Sequence, residues 1–593
     1  MAMWICLIAL VLMLAPVEPG PRYSSRIVDT QAGPVRGVIQ NSNSRHVEPV
    51  EIFYGIPYAA PPVGARRFTA AQEPLAWVGT RLADTLPPVC PQQLPDITNV
   101  SATSKTRLQQ IRQLLPLLHR QSEDCLHLNI YVPGSGSRGM YAPYAVIVYV
   151  HGESYEWNSG NAYDGRILTG YGHVIFITVN FRLGVLGFLK TRGDLSDNQH
   201  CCFAISDIEA ALRWVNSNIA AFGGDPTRVT LVGHDTGAAL VNALMLLTSA
   251  RGLFHRVTLL SGSMLSPWAV ASSPHSVHLQ VTEQVGCATP NSASDHVLHC
   301  LQELPLKSLM EVKLEDRRFL TQFGPWFSLN PSLEIERAGD TFVDRQMLLG
   351  LTSIESFREL AAQQIETGLH PDEKDEILRM FVNNVYSHHL KEIFSAVRNE
   401  YSEWNETADT PLIVRDSLLL ALSDGLTAAP LVKLAYLHSR RGSTTYLFHL
   451  SHQVDKDLRS LMVESRYHGS KPFADMFHMA APWLRPRGGK STSDSIDTIA
   501  EESETIGSGR LVAGGPTGSG PGQVSMRSRS TVSVRQVVVL VDFEASAFKD
   551  GQSPEDESTF RLAQQQGKMR VNPFPAAIAP GRSVRMRELR RRY

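Results

Sequence analysis

The chain has 593 residues, of which 43% are hydrophobic and 19% are charged, so it can bury a large core. Its formal net charge of -2 provides no basic excess and argues against a nucleic-acid partner. The length permits one large α/β domain or several smaller ones.

The first twenty residues have the pattern of a signal peptide. An apolar run, Trp4 to Leu14, is followed by Ala15 and prolines, and it is too short to span a bilayer. A buried N-terminal helix is the alternative, because no Lys or Arg precedes the apolar run. We expect residues 1–20 to direct the chain into the secretory pathway. Two sequons predict glycosylation at Asn99 and Asn405, in agreement with that route.

Up to about Pro482 the sequence alternates short apolar runs with amphipathic stretches. Continuous apolar runs such as AVIVYV are typical of strands in a parallel sheet that is covered on both faces. The pattern predicts an α/β fold with a large, mostly parallel central sheet and helices on both faces. In chain order the predictions are strands at 145–150 and 174–180, a helix at 207–219, a strand at 229–232, a helix at 238–247 and a strand at 257–261.

The composition changes after Pro482, where Gly, Ser, Pro and acidic residues dominate. Such a segment buries too little apolar surface to offset its ordering entropy, so we predict a disordered, low-complexity tail over residues 483–593. Within it only the run QVVVLVDFEASAF, from Gln536, could form a strand. No stretch near the C-terminus has the length and apolarity of a membrane helix. We therefore expect either a protein soluble outside the cell or an incomplete form of a longer one.

One turn between a predicted strand and a predicted helix has the frame of a nucleophile elbow. The run RVTLVGHDTGAAL, residues 228–240, contains Gly233-x-Asp235-x-Gly237. A serine hydrolase of the α/β class holds its attacking hydroxyl at the middle of such a turn. Because Asp235 stands there, the chain either uses a different nucleophile or is no longer an enzyme.

Five motifs in a fixed order resemble those of type-B carboxylesterases and cholinesterases. Within that superfamily the SGNAYDG run, the stretch at 252–270 and the substituted elbow resemble the neuroligins, in particular those of invertebrates. The resemblance extends over residues 25–482, and it implies an α/β-hydrolase fold whose C-terminal part is truncated here. The five motifs are EIFYGIPYAAPPVGARRF (51–68), SEDCLHLNIYVP (122–133), HGESYEWNSGNAYDG (151–165), VNFRLGVLGFL (179–189) and AFGGDPTRVTLVGHDTGAA (221–239).

The resemblance also implies a catalytic order of nucleophile, acid and histidine. The corresponding positions are Asp235, Glu355 in LLGLTSIES and His468 in RYHGSKPF, so the triad is degenerate. Glu355 and His468 could equally be ordinary surface or core groups. In the oxyanion loop, Glu153 follows Gly152, and a carboxylate that points inward would oppose an oxyanion. The alternative is that Glu153 faces solvent.

Secretion makes disulfides favourable for the six cysteines that follow the signal peptide. Cys90 and Cys125 bracket a polar loop that contains a sequon, and Cys287 and Cys300 bracket a short one, so we predict these two pairs over other connectivities. The adjacent residues Cys201 and Cys202 have no assigned role, since neighbours rarely bridge each other.

The resemblance implies a catalytically inactive, cholinesterase-like cell-adhesion protein of neuroligin type. Its partner would be a neurexin-like receptor across a cell junction or synapse, with calcium at the interface. No sequence motif supplies a metal site and no cofactor is predicted. Another inactive cholinesterase-like surface protein, of arthropod junctions or matrix, is a related alternative.

An active hydrolase is the competing prediction. The Gly-His-Asp-x-Gly elbow is similar to that of haloalkane dehalogenases and epoxide hydrolases, in which an aspartate attacks carbon. Aspartate does not easily replace serine in ester hydrolysis, because its attack on an acyl carbon forms an anhydride.

The resemblance further implies homodimers that pair through two helices per subunit. Residues 416–435, DSLLLALSDGLTAAPLVKLA, predict the first of these helices, although a core helix without a partner fits the pattern as well. The second helix is not visible in the sequence. We therefore expect this chain to be monomeric or poorly soluble as written, and secreted, whereas a form with a membrane span would lie at the cell surface.

Overall fold

The centre of the structure, a computed structural model, is an eleven-stranded sheet. The predicted signal peptide, both sequons, Cys201 and His468 lie outside the residues that the structure describes. Those residues are 22–41, 47–98, 105–134, 143–191, 202–288, 294–315, 317–327, 330–402, 410–450, 539–543 and 571–573.

The strands form two sheets. In chain order they are β1 (Val28–Thr30), β2 (Gly33–Arg36), β3 (Val38–Gln40), β4 (Val50–Pro57), β5 (Arg81–Leu82), β6 (His127–Pro133), β7 (Tyr144–Val150), β8 (Ile175–Val179), β9 (Gly224–His234), β10 (Arg256–Leu260), β11 (Gln346–Thr352), β12 (Thr445–Leu450), β13 (Val539–Phe543) and β14 (Val571–Pro573). The large sheet has the order β14-β13-β12-β11-β10-β9-β7-β8-β6-β4-β3, and the small sheet has the order β1-β2-β5. Every neighbouring pair from β13 to β8 is parallel, while β6, β4, β3 and β14 add antiparallel pairs at the two sides.

Helices surround the large sheet, as an α/β hydrolase fold requires. A π-helical turn, Asp424–Ala428, joins the helices Pro411–Ser423 and Ala429–Arg440. The helices are α1 (Lys105–Leu118), α2 (Arg166–Gly172), α3 (Gly184–Phe188), α4 (Phe203–Asn218), α5 (Thr236–Leu244), α6 (Pro274–Gln284), α7 (Ser294–Glu303), α8 (Leu306–Met310), α9 (Pro331–Arg337), α10 (Asp340–Val343), α11 (Ala362–Thr367), α12 (Pro371–Val385), α13 (Leu390–Glu400), α14 (Pro411–Ser423) and α15 (Ala429–Arg440).

The elements predicted from the sequence are present. Strands β7, β8 and β10 agree with their predicted bounds to within one residue at each end. Strand β9 is longer than predicted and continues to His234, so that the elbow follows it directly. All five residues of β8 and all nine of α5 are buried, which fits a parallel sheet covered on both faces.

The helical stretch Pro411–Arg440 contains the predicted helix 416–435. In the part of the chain that the structure describes, it is long and apolar enough to cross a membrane, but 72% of its most apolar window is buried inside the fold. Leu418 and Leu422 are fully buried and pack with Phe381 of α12 in one hydrophobic cluster. These contacts are those of a core helix.

The structure contains both predicted disulfides. Cys90 and Cys125 have Cα atoms 4.9 Å apart, and Cys287 and Cys300 have Cα atoms 5.8 Å apart. The backbone N–H of Trp326 donates to Sγ of the buried Cys202 at 3.3 Å. The first disulfide closes the loop that carries α1.

One segment of the predicted tail belongs to the sheet. Strand β13 lies within the run predicted as a strand from Gln536, and it pairs in parallel with β12, Leu447 being opposite Leu540. Strand β14 then pairs with β13 in the antiparallel sense. The rest of residues 483–593 lies outside the described part, so the disordered tail stays a prediction there.

Candidate functional site

Asp235 lies at a sharp turn between β9 and α5. Its backbone has φ 55° and ψ -124°, a strained conformation typical of the nucleophile elbow. Gly237 is required by close packing, because a Cβ there would lie 2.3 Å from the carbonyl oxygen of Val150. The backbone N–H of Asp235 donates to the carbonyl of Leu260 at 2.9 Å, which fixes the turn to β10. The sequence frame of the elbow therefore produces the geometry that it predicts.

The oxyanion loop after β7 faces this turn. Glu153, Ser154 and Tyr155 have φ values of 86°, 58° and 63°, so three successive residues lie in the left-handed region. The backbone N–H of Glu153 donates to Oδ2 of Asp235 at 3.0 Å. In a serine hydrolase of this class, an N–H from the corresponding loop stabilises the oxyanion of the substrate. Here that N–H donates to the carboxylate of Asp235 instead.

The side chain of Glu153 points inward, so the alternative that it faces solvent is wrong. It is 4% exposed, and its Oε2 lies 2.6 Å from Nη2 of Arg107 and 3.1 Å from Nη1 of Arg358. Nη2 of Arg358 lies 3.2 Å from Oδ1 of Asp235. We call these four residues, Arg107, Glu153, Arg358 and Asp235, the elbow charge network. It alternates two guanidiniums with two carboxylates.

The pKa values of Glu153 and Arg358 are shifted toward their charged forms. Burial acts to raise the pKa of Glu153, but Arg107 and Arg358 oppose it and lower that pKa to about 2. Asp235 raises the pKa of Arg358, with a further contribution from Glu153, against the effect of burial. Glu153 and Arg358 are therefore ionised at neutral pH. Arg107 and Arg358 compensate the like-charge repulsion that an inward Glu153 would otherwise impose.

The two arginines come from separate parts of the chain, and no motif identifies them. Arg107 lies on α1, inside the loop closed by Cys90 and Cys125, and its guanidinium lies 5.4 Å from the ring centroid of Trp157. Arg358 lies on a single 3-10 turn after β11, and its side chain is 36% exposed. They are 46 and 205 residues from Glu153 in sequence, so no spacing could have revealed them.

Glu355, the predicted acid position, lies just after β11 and on the same edge of the sheet. Its Oε1 accepts hydrogen bonds from the backbone N–H of Thr352 at 2.7 Å and from Oγ of Ser261 at 3.1 Å. Burial raises the pKa of Glu355, an effect that these bonds only partly oppose. The structure thus places Asp235 and Glu355 at the carboxyl ends of β9 and β11, on either side of β10, whereas the predicted histidine lies outside the described residues.

Two buried histidines flank the elbow. His234 precedes Asp235, and His151 stacks on Phe181 with ring centroids 4.3 Å apart. Burial lowers the pKa of each imidazole to about 4. Both rings are therefore neutral at physiological pH.

Two cavities in the described part of the chain lie away from the elbow charge network. One lies beside Arg182 and Glu123, and the other lies beside His296 and Glu303 of α7. Among the described residues, no group of three His, Cys, Asp or Glu side chains could hold a metal ion. Calcium at a partner interface stays a prediction.

The arrangement limits what Asp235 can do chemically. One carboxylate oxygen accepts the N–H of Glu153, and the other is paired with Arg358. The side chain is only 11% exposed. A carboxylate with both oxygens engaged is stabilised as an anion and is a poor nucleophile.

Comparisons with known proteins agree with this fold. The carboxylesterase family matches residues 24–482. The chain is similar to neuroligin-1 of Caenorhabditis elegans, with 35% identity over 460 residues, which cover 73% of this chain and 57% of that protein. It is also similar to neuroligin-3 of Mus musculus, with 31% identity over 80% of this chain and 59% of that protein. The identity to neuroligin-2 of Homo sapiens is 32%, over 75% of this chain and 56% of that protein. The chain spans less than two thirds of the length of these relatives, and the match over most of its own length shows that it belongs to the carboxylesterase family.

Proposed function

We propose that the chain is a catalytically inactive, cholinesterase-like cell-adhesion protein of neuroligin type. One observation carries the loss of catalysis: both oxygens of the Asp235 carboxylate are held, one by the oxyanion-loop N–H and one by Arg358. The site that would bind a substrate carbonyl is occupied by the protein itself. Function then depends on the outer surface of the domain.

Ester hydrolysis lacks two of its requirements at this elbow. Asp235 has no hydroxyl to be activated by a base, and its attack on an acyl carbon would form an anhydride. The donor that would stabilise a tetrahedral intermediate already binds a full negative charge. Removing one such donor from an active hydrolase costs about 100- to 1,000-fold in kcat, so the two defects together suffice to abolish turnover.

The structure also weighs against attack by Asp235 on an epoxide or haloalkane. That reaction needs one carboxylate oxygen free to approach carbon, while the other accepts backbone N–H groups. Oδ2 accepts the N–H of Glu153, which fits, but Oδ1 lies 3.2 Å from the guanidinium of Arg358. An attacking oxygen would first have to break this ion pair.

The adhesion role is supported by similarity to the neuroligins and by features of a secreted domain. Two disulfides close surface loops, and a signal peptide and two sequons are predicted. By the same resemblance, the partner is a neurexin-like cell-surface receptor that binds with calcium at the interface, and the domain forms homodimers. The resemblance further supports a place in the secretory pathway and at the cell surface or synaptic membrane.

Binding of the purified full chain to an immobilised neurexin ectodomain tests the partner. We expect calcium-dependent binding that EDTA abolishes, and an unrelated glycoprotein with disulfides serves as the control ligand. Absence of binding at micromolar concentration in calcium would refute the neurexin assignment. Measurable turnover of short-chain esters or acetylcholine would independently refute the inactive site.

A further inference from the structure

We infer that one water molecule is bound between the guanidinium of Arg182 and the carboxylate of Glu123, beside the disulfide of Cys90 and Cys125. The inference rests on a buried donor without a partner, on a cavity of the right size beside it and on the charges that line this cavity. It is independent of the adhesion role.

Arg182 supplies the donor. It lies after β8 and is 2% exposed, and its Nε and Nη2 donate to the two carboxylate oxygens of Asp207 at 2.8 and 2.6 Å. In the part of the chain that the structure describes, its Nη1 is buried and has no hydrogen-bond partner. A buried guanidinium N–H that lacks an acceptor is costly, and native proteins satisfy such donors with protein groups or ordered water.

A small cavity adjoins this side chain. Its volume of about 10 Å³ matches one water molecule and is too small for a larger ligand. Arg182, Glu123, Arg67, Cys125 and Leu186 line it. Nε and Nη2 of Arg182 are directed to Asp207, which does not line the cavity, so we assign the remaining nitrogen, Nη1, to the side of the guanidinium that faces it.

The charges around the cavity favour water over an ion. Arg67 is paired with Glu123 through two bonds of 2.7 and 2.8 Å, and Arg182 is paired with Asp207 in the same way. Each guanidinium is therefore neutralised by its own carboxylate, which leaves no net charge to bind an anion or a cation. A water molecule can accept from Nη1 of Arg182 and donate to Glu123, whose carboxylate retains acceptor capacity.

The site lies at a structural junction. Glu123 belongs to the loop closed by Cys90 and Cys125, and Cys125 itself lines the cavity. Nη1 of Arg67 donates to carbonyl oxygens of Leu301 and Leu304, next to the second disulfide. The water would therefore join the segment after β8 to the loop closed by Cys90 and Cys125, and Arg67 connects Glu123 to the carbonyls that follow Cys300.

A crystal structure of the full chain at high resolution tests the site directly. We expect one ordered water within 3.2 Å of Nη1 of Arg182 and of a carboxylate oxygen of Glu123. An empty cavity, or a rotated Arg182 whose Nη1 bonds to a protein carbonyl, would overturn the inference.

Leu186→Met provides a second measurement in solution. Methionine has about the volume of leucine but can extend into the cavity, where it would displace the water and leave Nη1 unsatisfied. We expect the unfolding equilibrium constant in urea to rise about tenfold more than in Leu189→Met, which changes a fully buried leucine of the same hydrophobic cluster that does not line the cavity. If the cavity is dry, methionine fills it at no cost, so equal or higher stability of Leu186→Met would contradict the inference.

Discussion

The backbone N–H of Glu153 donates to Oδ2 of Asp235 at 3.0 Å, so the residue at the nucleophile position binds the oxyanion donor of its own site. In the inactive site that we propose, this contact adds to the absence of a serine, because a donor that already binds an anion is not free to stabilise an oxyanion.

Restoring the serine should therefore not restore an esterase. We expect Asp235→Ser to show no hydrolysis of p-nitrophenyl acetate above background, because the carboxylate of Glu153 and its two arginines remain beside the elbow. Initial rates of the wild type, Asp235→Ser and Asp235→Ala give the comparison. Wild-type turnover that disappears in Asp235→Ala would show that Asp235 is a working nucleophile.

Loss of Arg358 should destabilise the domain. Arg358→Gln leaves Asp235 without its guanidinium partner and leaves Glu153 with Arg107 alone. Removing one member of a buried ion pair costs about 3–5 kcal/mol, and the 36% exposure of the Arg358 side chain reduces this to roughly 1–3 kcal/mol. Urea unfolding measures the difference in the free energy of unfolding.

A double-mutant cycle provides the control for Arg358. Asp235→Asn removes the charge that Arg358 compensates, so adding Arg358→Gln to it should cost less than Arg358→Gln does in the wild type. Equal costs in the two backgrounds would mean that Arg358 and Asp235 are not energetically coupled.

Acid should weaken the fold through the histidines beside the elbow. The pKa values of His151 and His234 are lowered by burial to about 4, from an ordinary value of 6.5. Between these pH values the unfolded state binds more protons than the folded state. The contribution of each neutral histidine to the free energy of unfolding is therefore fully present above pH 6.5, and it is lost as the pH falls toward 4. Each histidine contributes roughly 3 kcal/mol at most to this loss.

The histidines and Glu153 affect stability in different pH ranges. The pKa of Glu153 is lowered to about 2 from 4.5, so its contribution is lost only below pH 4.5. We expect His151→Phe, which keeps a ring against Phe181, to reduce the slope of stability between pH 6.5 and 4.5. A free energy of unfolding that is constant over this range in the wild type would contradict the assignment.

The two disulfides should differ in their effect on stability. Cys90 and Cys125 are 35 positions apart, and Cys287 and Cys300 are 13 positions apart. By the loss of chain entropy in the unfolded state, replacing the first pair by serine should lower the free energy of unfolding by about 4 kcal/mol, and replacing the second pair should lower it by about 3 kcal/mol. Non-reducing peptide mapping must first recover both pairs. Recovery of Cys90 linked to Cys202 would contradict the connectivity.

Hydrogen exchange distinguishes the roles of these loops. Because α1 lies between Cys90 and Cys125 and carries Arg107, removal of that disulfide should increase exchange in α1 and around Glu153. The variant without Cys287 and Cys300 should leave both regions unchanged. Equal exchange around Glu153 in the two variants would show that the first loop does not support the elbow charge network.

Much of the fold was accessible from the sequence, because its signals are local. Apolar runs predict β7, β8 and β10 almost to the residue, and the glycines around Asp235 predict the elbow. The strand-to-helix boundary was less accurate, since α5 begins directly after Asp235 and not at Ala238. Thr236 and Gly237 are helical because the turn at Asp235 places them at the start of α5, and they show no pattern of apolar residues from which a helix could be predicted.

The composition of the site was only half predictable. The motifs place Asp235, Glu153 and Glu355 near one another, but they do not say which way Glu153 points. That direction depends on Arg107 and Arg358, which tertiary packing brings from distant parts of the chain. An ion pair between residues 205 positions apart leaves no mark on local sequence.

The separation of Glu153 and Arg358 in sequence also determines how long after Glu153 its partner Arg358 is synthesised. The chain leaves the ribosome at about 5–20 residues per second, so Glu153 emerges roughly 10–40 s before Arg358. During this interval the first strands can pair, but Asp235, once it has been synthesised, has no guanidinium until Arg358 follows and cannot be buried without an uncompensated charge. We therefore expect the centre of the domain to stay open to water until the segment after β11 has been synthesised.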